Sequence, residues 1–232
     1  MQIDWKRAKE IIGKNFFGVE DWSAFYGVKF SEEQISEAAE FPWGEDILNS
    51  TCPFCRNVVK HCHFAFLGLE SINGEPLTIM KLQKLHPATG QPRFNVDAWY
   101  SKEEFAREAT MDFRWYLIHK SMIPKSRNKT YDDQEAILTT DYEVPSAVTE
   151  VTKDLLVFRK TGTFVNSTRW ARCKCVTSDG GRVVVGFFGK HGLTINSFRD
   201  LDGHYLISLA ASRTLEEVFS FTFSFNLFPP PK

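Results

Sequence analysis

The chain has 232 residues, 43% of them hydrophobic, which is enough for one large domain or two small ones with a real core. Its net charge of −1 and pI near 6.6 give no electrostatic support for binding to nucleic acid or to an anionic membrane. No apolar run approaches a membrane span, and the start MQIDWKRAKE lacks the apolar core of a signal peptide. Five cysteines, an odd number, fit a reducing compartment, so we expect a cytoplasmic or virion-associated protein.

Two short helices with clear capping residues are predicted first. The segment DWKRAKEIIG has Asp4 as its cap and Gly13 as its stop. The second helix begins at Ser31, with Gln34 at the capping-box position. No catalytic motif is visible in either helix.

The segment CPFCRNVVKHCH, residues 52–63, is the sharpest chemical signal in the first hundred residues. Cys52 and Cys55 have the spacing at which two thiolates share one metal ion on a turn. His61 and His63 lie two residues apart, so on a strand they would face one side and complete a tetrahedral zinc site. The gap of five residues between the two pairs is shorter than in usual zinc modules. Two alternatives stay open: a redox pair without evident βαβ surroundings, and a turn before a buried strand with the cysteines as small core residues.

A long helix is predicted over residues 101–124. Ser101 is its cap, Glu104 takes the capping-box position, and Pro124 ends it. In this interpretation His119 lies near the helix C-terminus as a surface or satisfied residue and not as a ligand.

A further helix is predicted from Pro145, with Gly162 as its stop. Glu150 and Lys153 are placed on its polar side. The side expected to pack on the following sheet carries Val148, Val151, Leu155 and Leu156.

Residues 169–213 predict a small antiparallel sheet. The blocks TRWARCKCV, RVVVGFF, GLTINSF and HYLISLA are short runs of β-branched or alternating residues, and a turn at 178–181 separates the first two. In RVVVGFF the face with Val183 and Val185 is expected to be buried, and Phe187 shares its parity. Helices followed by strands favour an α+β fold with helices packed on one side of the sheet.

The same region resembles a known family. The pattern R-V-x-V-G-x-F-x-x-x-G-L-x-(I/V), followed by D-x-D and ending L-A-A-S-R, is similar to the C-terminal variable region of proteins diversified by retroelements. The matching residues are Arg182, Val183, Val185, Gly186, Phe188, Gly192, Leu193, Ile195, Asp200, Asp202, Ala210, Ser212 and Arg213. The resemblance implies a C-type-lectin-like (formylglycine-generating-enzyme-like) fold in the C-terminal part, preceded by a helical N-terminal part.

The resemblance also implies which residues bind a ligand. In that family the scaffold positions stay fixed, while interspersed positions are rewritten by adenine-directed mutagenesis. The corresponding variable positions here are Phe187, Lys190, His191, Thr194, Asn196, Ser197, Phe198, Arg199, Leu201, Gly203, His204, Tyr205 and Leu206. The implied partner is a protein or carbohydrate ligand. The expected organisation is an N-terminal region over 1–100 and a ligand-binding domain over 101–232, or one continuous domain.

The C-terminal tail departs from the family, which usually stops soon after the Ala-Ser-Arg signature. Phe219, Phe221, Phe223 and Phe225 alternate with small polar residues, as in a strand with one aromatic face. Such a strand would extend the sheet or pair with another chain, so a homo-oligomer is a possible partner state.

No nucleophile elbow, phosphate loop or histidine-zinc helix motif is present in the sequence. Asp200 and Asp202 lie close enough together to suggest calcium, but no further carboxylates cluster nearby. A hydrolase that uses His191 or His204 with Asp200 has no motif support. The sequence therefore predicts a non-enzymatic binding module. Zinc at residues 52–63 is the one cofactor that the sequence leaves open. The alternative is a zinc-stabilised intracellular interaction domain built on residues 52–63.

Overall fold

The computed structural model describes residues 2–95, 99–201 and 203–215. This part of the chain is a mixed α+β fold with two main sheets and several helices, as the order of the predicted elements indicated. The helices are α1 (Trp5–Ile12), α2 (Val19–Tyr26), α3 (Glu32–Glu37), α4 (Glu45–Asn49), α5 (Val59–Cys62), α6 (Ile79–Leu85), α7 (Glu104–Arg107), α8 (Tyr131–Glu135) and α9 (Ala147–Thr161). Short 3₁₀ turns lie at Gly13–Asn15 and Trp99–Lys102.

The strands fall into two larger sheets and two small pairs. They are β1 (Ile3–Asp4), β2 (Phe16–Phe17), β3 (Glu40–Phe41), β4 (His63–Leu67), β5 (Ser71–Ile72), β6 (Glu75–Pro76), β7 (Trp115–His119), β8 (Tyr142–Glu143), β9 (Trp170–Val176), β10 (Arg182–Gly189), β11 (Gly192–Phe198), β12 (Ile207–Leu209) and β13 (Ser212–Arg213).

The first two predicted helices are confirmed by their caps. The Asp4 side chain accepts the backbone N–H of Lys6, and Gly13 ends α1 with a positive φ of 64°. Ser31 and Gln34 form the predicted capping box at the start of α3. Local side-chain hydrogen bonds decide these helix starts, which is why the sequence pattern was sufficient.

The long helix predicted over 101–124 is wrong. Residues 99–107 form a 3₁₀ turn and the short helix α7, and Trp115–His119 is a fully buried strand. Three of the five residues of β7 are aromatic or β-branched. The strand lies between β4 and β13 in the five-stranded sheet. Pairing with these neighbours outweighs the helical pattern. His119 consequently lies inside the fold, at 3% exposure.

The five-stranded sheet has the order β2-β4-β7-β13-β8 and takes strands from both sides of residue 100. β4 and β7 pair antiparallel, with His63 opposite His119. β13 pairs antiparallel with both β7 and β8. β13 is therefore hydrogen-bonded into the same sheet as β4, the strand that follows the Cys-x-x-Cys motif.

The four-stranded sheet has the order β11-β10-β9-β12, with β12 parallel to β9 and the other pairs antiparallel. Val183 and Val185 are buried, as predicted. Phe187 is not buried with them, because a bulge between Gly186 and Gly189 shifts the register. Phe188 takes the buried position, and Phe187 is 36% exposed.

Helix α9 begins at Ala147 with Ser146 as its N-cap, two residues after the predicted start at Pro145, because the Ser146 side chain accepts the Thr149 N–H. Gly162 ends it, as predicted, and adopts the left-handed conformation. Its apolar residues Val148, Val151, Leu155 and Leu156 belong to the main core, and the helix contacts β9 and β10.

The prediction that Glu150 and Lys153 lie on a solvated side of α9 is wrong, because each is only 1% exposed. Lys153 forms ion pairs with Glu150 and with Asp154, the latter at 3.3 Å between Nζ and Oδ1. Asn166 Nδ2 donates to Glu150 Oε1 at 2.8 Å and to Asp154 Oδ1 at 3.2 Å. These buried groups are tolerated because Lys153 pairs with both carboxylates and Asn166 hydrogen-bonds to both of them.

Candidate metal centre and ligand surface

The Cys-x-x-Cys motif forms a tight turn. An isolated bridge between Thr51 and Val58 closes its base. Inside the turn, the Cys52 N–H donates to Asn57 O at 2.7 Å, and the Arg56 N–H donates to Cys52 O at 3.1 Å. These bonds reverse the chain so that both cysteine side chains reach the same point.

Cys62 and His119 reach that point from two other elements. Cys62 ends α5, immediately before β4, and His119 ends β7. The antiparallel register between the two strands places these ends side by side, and the Lys120 N–H donates to Cys62 O at 2.9 Å. The metal cluster, defined as Cys52, Cys55, Cys62 and His119, has its ligand atoms within 4.8 Å of one another.

These four residues could bind a metal ion. Ligands of a tetrahedral zinc site at about 2.3 Å lie about 3.8 Å from each other, so small side-chain rotations would bring the cluster into coordination. Cys52, Cys62 and His119 are buried and Cys55 is half-buried. The surroundings are therefore those of an enclosed site.

The structure corrects two of the four ligands predicted from the sequence. It keeps Cys52 and Cys55 but brings Cys62 and His119 to them instead of His61 and His63. His61 lies on α5 and is exposed, because residues 59–62 form a helical turn and not the expected strand.

His63 is buried, but both ring nitrogens have other partners. Nδ1 lies 3.2 Å from Val59 O and Nε2 lies 3.0 Å from the Tyr142 hydroxyl. Burial lowers the pKa of His63 to about 3, so this ring is neutral at ordinary pH. His63 therefore acts as a hydrogen-bonding core residue beside the metal cluster.

The two ring nitrogens of His119 have different surroundings. Nδ1 is hydrogen-bonded to the backbone oxygen of Ser121. Nε2 is buried, and none of the described residues lies in hydrogen-bonding geometry with it. A carbonyl acceptor on one nitrogen selects the tautomer whose other nitrogen carries a lone pair, which is the usual arrangement around a metal-bound histidine. A buried acceptor of this kind beside three sulfur atoms is compatible with a metal ligand.

The thiols of Cys52 and Cys62 interact with each other. The hydrogen bond from the Cys62 thiol holds the pKa of Cys52 below its ordinary value, and backbone N–H groups of the turn act in the same direction. The same bond and burial raise the pKa of Cys62.

The candidate ligand surface consists of the thirteen variable positions that the family resemblance implies, and none of them is buried. Eight are exposed: Phe187, Lys190, His191, Asn196, Arg199, Leu201, Gly203 and Tyr205. Five are half-buried: Thr194, Ser197, Phe198, His204 and Leu206.

The scaffold positions show the opposite pattern. Nine of them are buried: Val183, Val185, Gly186, Phe188, Gly192, Leu193, Ile195, Ala210 and Ser212. Arg182, Asp200 and Arg213 are half-buried, and Asp202 lies outside the described residues. Scaffold and variable positions alternate along β10 and β11, yet most scaffold residues are buried and no variable residue is.

Ionic contacts hold the loop between β11 and β12. Arg182 donates from Nε to Asp200 Oδ1 at 3.1 Å and from Nη2 to Oδ2 at 2.7 Å. Its guanidinium lies 3.8 Å from the centre of the Tyr131 ring, and the Tyr131 N–H donates to Asp200 O at 2.8 Å. The Asp200 carboxylate is thus a structural anchor of the loop, with both of its oxygens engaged by arginine.

The tip of β10 presents an aromatic side chain from a special backbone. Phe187 has a φ of 45°, and its ring centre lies 4.8 Å from that of Trp170. A Cβ at Gly186 would lie 2.0 Å from Arg169 O, so only glycine permits this close approach. Across the surface, the rings of His204 and Tyr205 stack at 4.9 Å.

No protein-family model, curated protein or solved structure matches this chain. Among the described residues, no helix is long and apolar enough to cross a membrane. The strand predicted at 219–225 lies outside the described residues.

Proposed function

We propose that this chain is a non-enzymatic ligand-binding protein with a C-type-lectin-like C-terminal region, whose surface positions are diversified by a retroelement. The observation that carries the proposal is the separation by burial of the scaffold and variable positions. A protein that tolerates rewriting needs every rewritten side chain outside the core, because buried substitutions cost several kcal/mol and exposed ones about 0.5 kcal/mol or less.

The variable positions combine aromatic and basic side chains on a rigid frame. Tyr205 is 68% exposed and Leu201 is 84% exposed, so large side chains are presented to solvent. Aromatic side chains supply contact area at a small entropic cost, as in other diversified binding surfaces. The partner is a protein or a carbohydrate.

The DNA that flanks the gene tests this proposal. We expect a near-copy of the segment that encodes residues 182–213, with differences concentrated at adenines, beside a reverse-transcriptase gene. If neither is found, the diversification proposal fails, whereas a fixed ligand surface on the same frame would remain open to binding experiments.

We further propose that the metal cluster is a structural zinc site with Cys52, Cys55, Cys62 and His119 as ligands. The free Nε2 of His119 is the observation that favours it. Three sulfur ligands and one nitrogen ligand make a closed tetrahedral set, which leaves no position for a substrate and so indicates a structural role. The ion would tie the turn to β4 and β7.

Metal analysis of the purified protein tests the zinc proposal. We expect one zinc per chain, lost on chelation together with a large part of the stability. A metal-free protein with unchanged stability after chelation would remove the proposal. Substitution of His61 serves as a control, because this exposed histidine lies outside the cluster.

A further inference from the structure

A pocket of about 320 Å³ lies beside the metal-cluster turn. Three stretches of the chain, residues 53–56, 124–129 and 137–139, form its walls. They contribute Pro53, Phe54, Arg56, Pro124, Lys125, Lys129, Ile137 and Thr139. The cation pocket, as we name it, has both apolar and basic lining residues, and its size fits a small organic molecule.

The charges of the cation pocket are uncompensated. Its lining includes Arg56, Lys125 and Lys129 but no carboxylate. In the described ranges, none of these three side chains makes an ion pair or a hydrogen bond. Three like charges around one concavity repel one another, and an anion bound between them would relieve that repulsion.

Two of the three basic residues have an unusual backbone. Arg56 has a φ of 64° and Lys125 has a φ of 67°. Glycine or asparagine adopts this left-handed conformation more easily than a long side chain does. Folding alone would favour glycine at both positions, so the two basic side chains are present against the local backbone preference. Residues held in such conformations cluster at binding sites.

We propose that the cation pocket binds a small phosphate-bearing molecule. Arg56 would pair with two phosphate oxygens, and Lys125 and Lys129 would supply the further positive charge that a dianionic phosphate needs. Phe54 and Ile137 would contact the organic body of the ligand. A phosphate matches three cations better than a single carboxylate does, because it offers more charge and more acceptor oxygens.

Glycine variants test the proposal without damaging the fold. Phenyl phosphate is the probe, and its binding is measured by calorimetry on the full chain. We expect Arg56→Gly and Lys125→Gly each to weaken binding by at least about tenfold, the loss typical of a charged hydrogen bond. Both variants should keep the melting temperature of the parent, because glycine relaxes the backbone at these positions. Lys102→Ala, at an exposed lysine outside the pocket, should bind as the parent does.

Two further measurements sharpen the result. Inorganic phosphate alone should bind more weakly than phenyl phosphate if Phe54 and Ile137 contact the organic body, and equal binding would overturn that part of the proposal. Binding of phenyl phosphate should also weaken as salt is raised. If the parent binds no phenyl phosphate, or if Arg56→Gly, Lys125→Gly and Lys102→Ala all bind equally to the parent, the cation pocket is not a phosphate site.

Discussion

The metal cluster and the candidate ligand surface are built in opposite ways. The four residues of the metal cluster come from residues 52–62 and from residue 119, and they meet inside the fold. The thirteen positions of the ligand surface lie within residues 187–206, and none of them is buried. One site depends on long-range pairing of strands, whereas the other depends on local alternation along two neighbouring strands.

This difference predicts how each region responds to substitution. A buried ligand or charge has partners that are left unsatisfied when it is removed, so the loss appears as instability. An exposed side chain has water as its alternative partner, so its loss leaves the free energy of unfolding nearly unchanged.

His119→Ala should have the largest effect. It removes a proposed zinc ligand, and we expect a loss on the order of 5 kcal/mol together with the metal, since structural zinc supplies roughly 10 kcal/mol in small domains. His61→Ala should change stability by less than about 0.5 kcal/mol and keep the metal. Chemical denaturation and metal analysis of both variants give the comparison. Loss of metal in His61→Ala alone would contradict the assignment of the cluster.

Lys153→Met should cause the second largest loss of stability. It leaves Glu150 and Asp154 without their buried cation, which costs roughly 3–5 kcal/mol. The exposed pair of Lys9 with Glu20 provides the control, because Lys9→Met should cost less than about 1 kcal/mol. Urea denaturation of the two variants measures the difference. Equal losses would show that the buried network is not electrostatically important.

The same network predicts a pH dependence. Burial raises the pKa of Asp154 from 3.8 to about 8, so the folded chain retains a proton that the unfolded chain releases. This contribution to stability is complete below about pH 4 and is lost as the pH rises through about 8. Asp154→Asn should therefore flatten the fall in stability over that window. Denaturation at several pH values checks the slope, and an unchanged slope would exclude Asp154 as its source.

Asp200→Ala should have a smaller effect. The ion pair with Arg182 is partly exposed, with side-chain exposures of 16% for Arg182 and 36% for Asp200, so solvent screening limits its value to about 1 kcal/mol. The loop between β11 and β12 should nevertheless become more mobile. Hydrogen exchange at Tyr131, whose N–H bonds to Asp200 O, reports on that anchor. Unchanged protection would show that the backbone contact suffices.

Phe187→Ala and Tyr205→Ala should have the smallest effect on stability. Both side chains are exposed, so we expect changes within about 1 kcal/mol together with altered ligand binding. The neighbouring Phe188→Ala is the matched control, because this buried ring should cost roughly 3–5 kcal/mol. Thermal melts of the three variants suffice. A large loss for Phe187→Ala would remove the separation of frame and ligand surface.

The sequence by itself determined the features that depend on neighbouring residues. The caps at Asp4 and Ser31, the bounds of α9 and the alternation of Val183 and Val185 follow from local hydrogen bonds and from strand periodicity. The Cys-x-x-Cys turn belongs to the same class, since four consecutive residues suffice to bring two thiols together. Each of these features depends only on residues that are close together in the sequence.

The tertiary structure alone decided which residues complete the metal cluster and which charges are buried. His119 reaches Cys62 because β7 pairs with β4, and an isolated sequence pattern placed it on a helix. Lys153 is buried because α9 is covered on its polar side as well, where Asn166 bonds to the carboxylates that flank the lysine. Pairing between distant segments supplies free energy that outweighs local propensity, and periodicity within one segment contains no information about it.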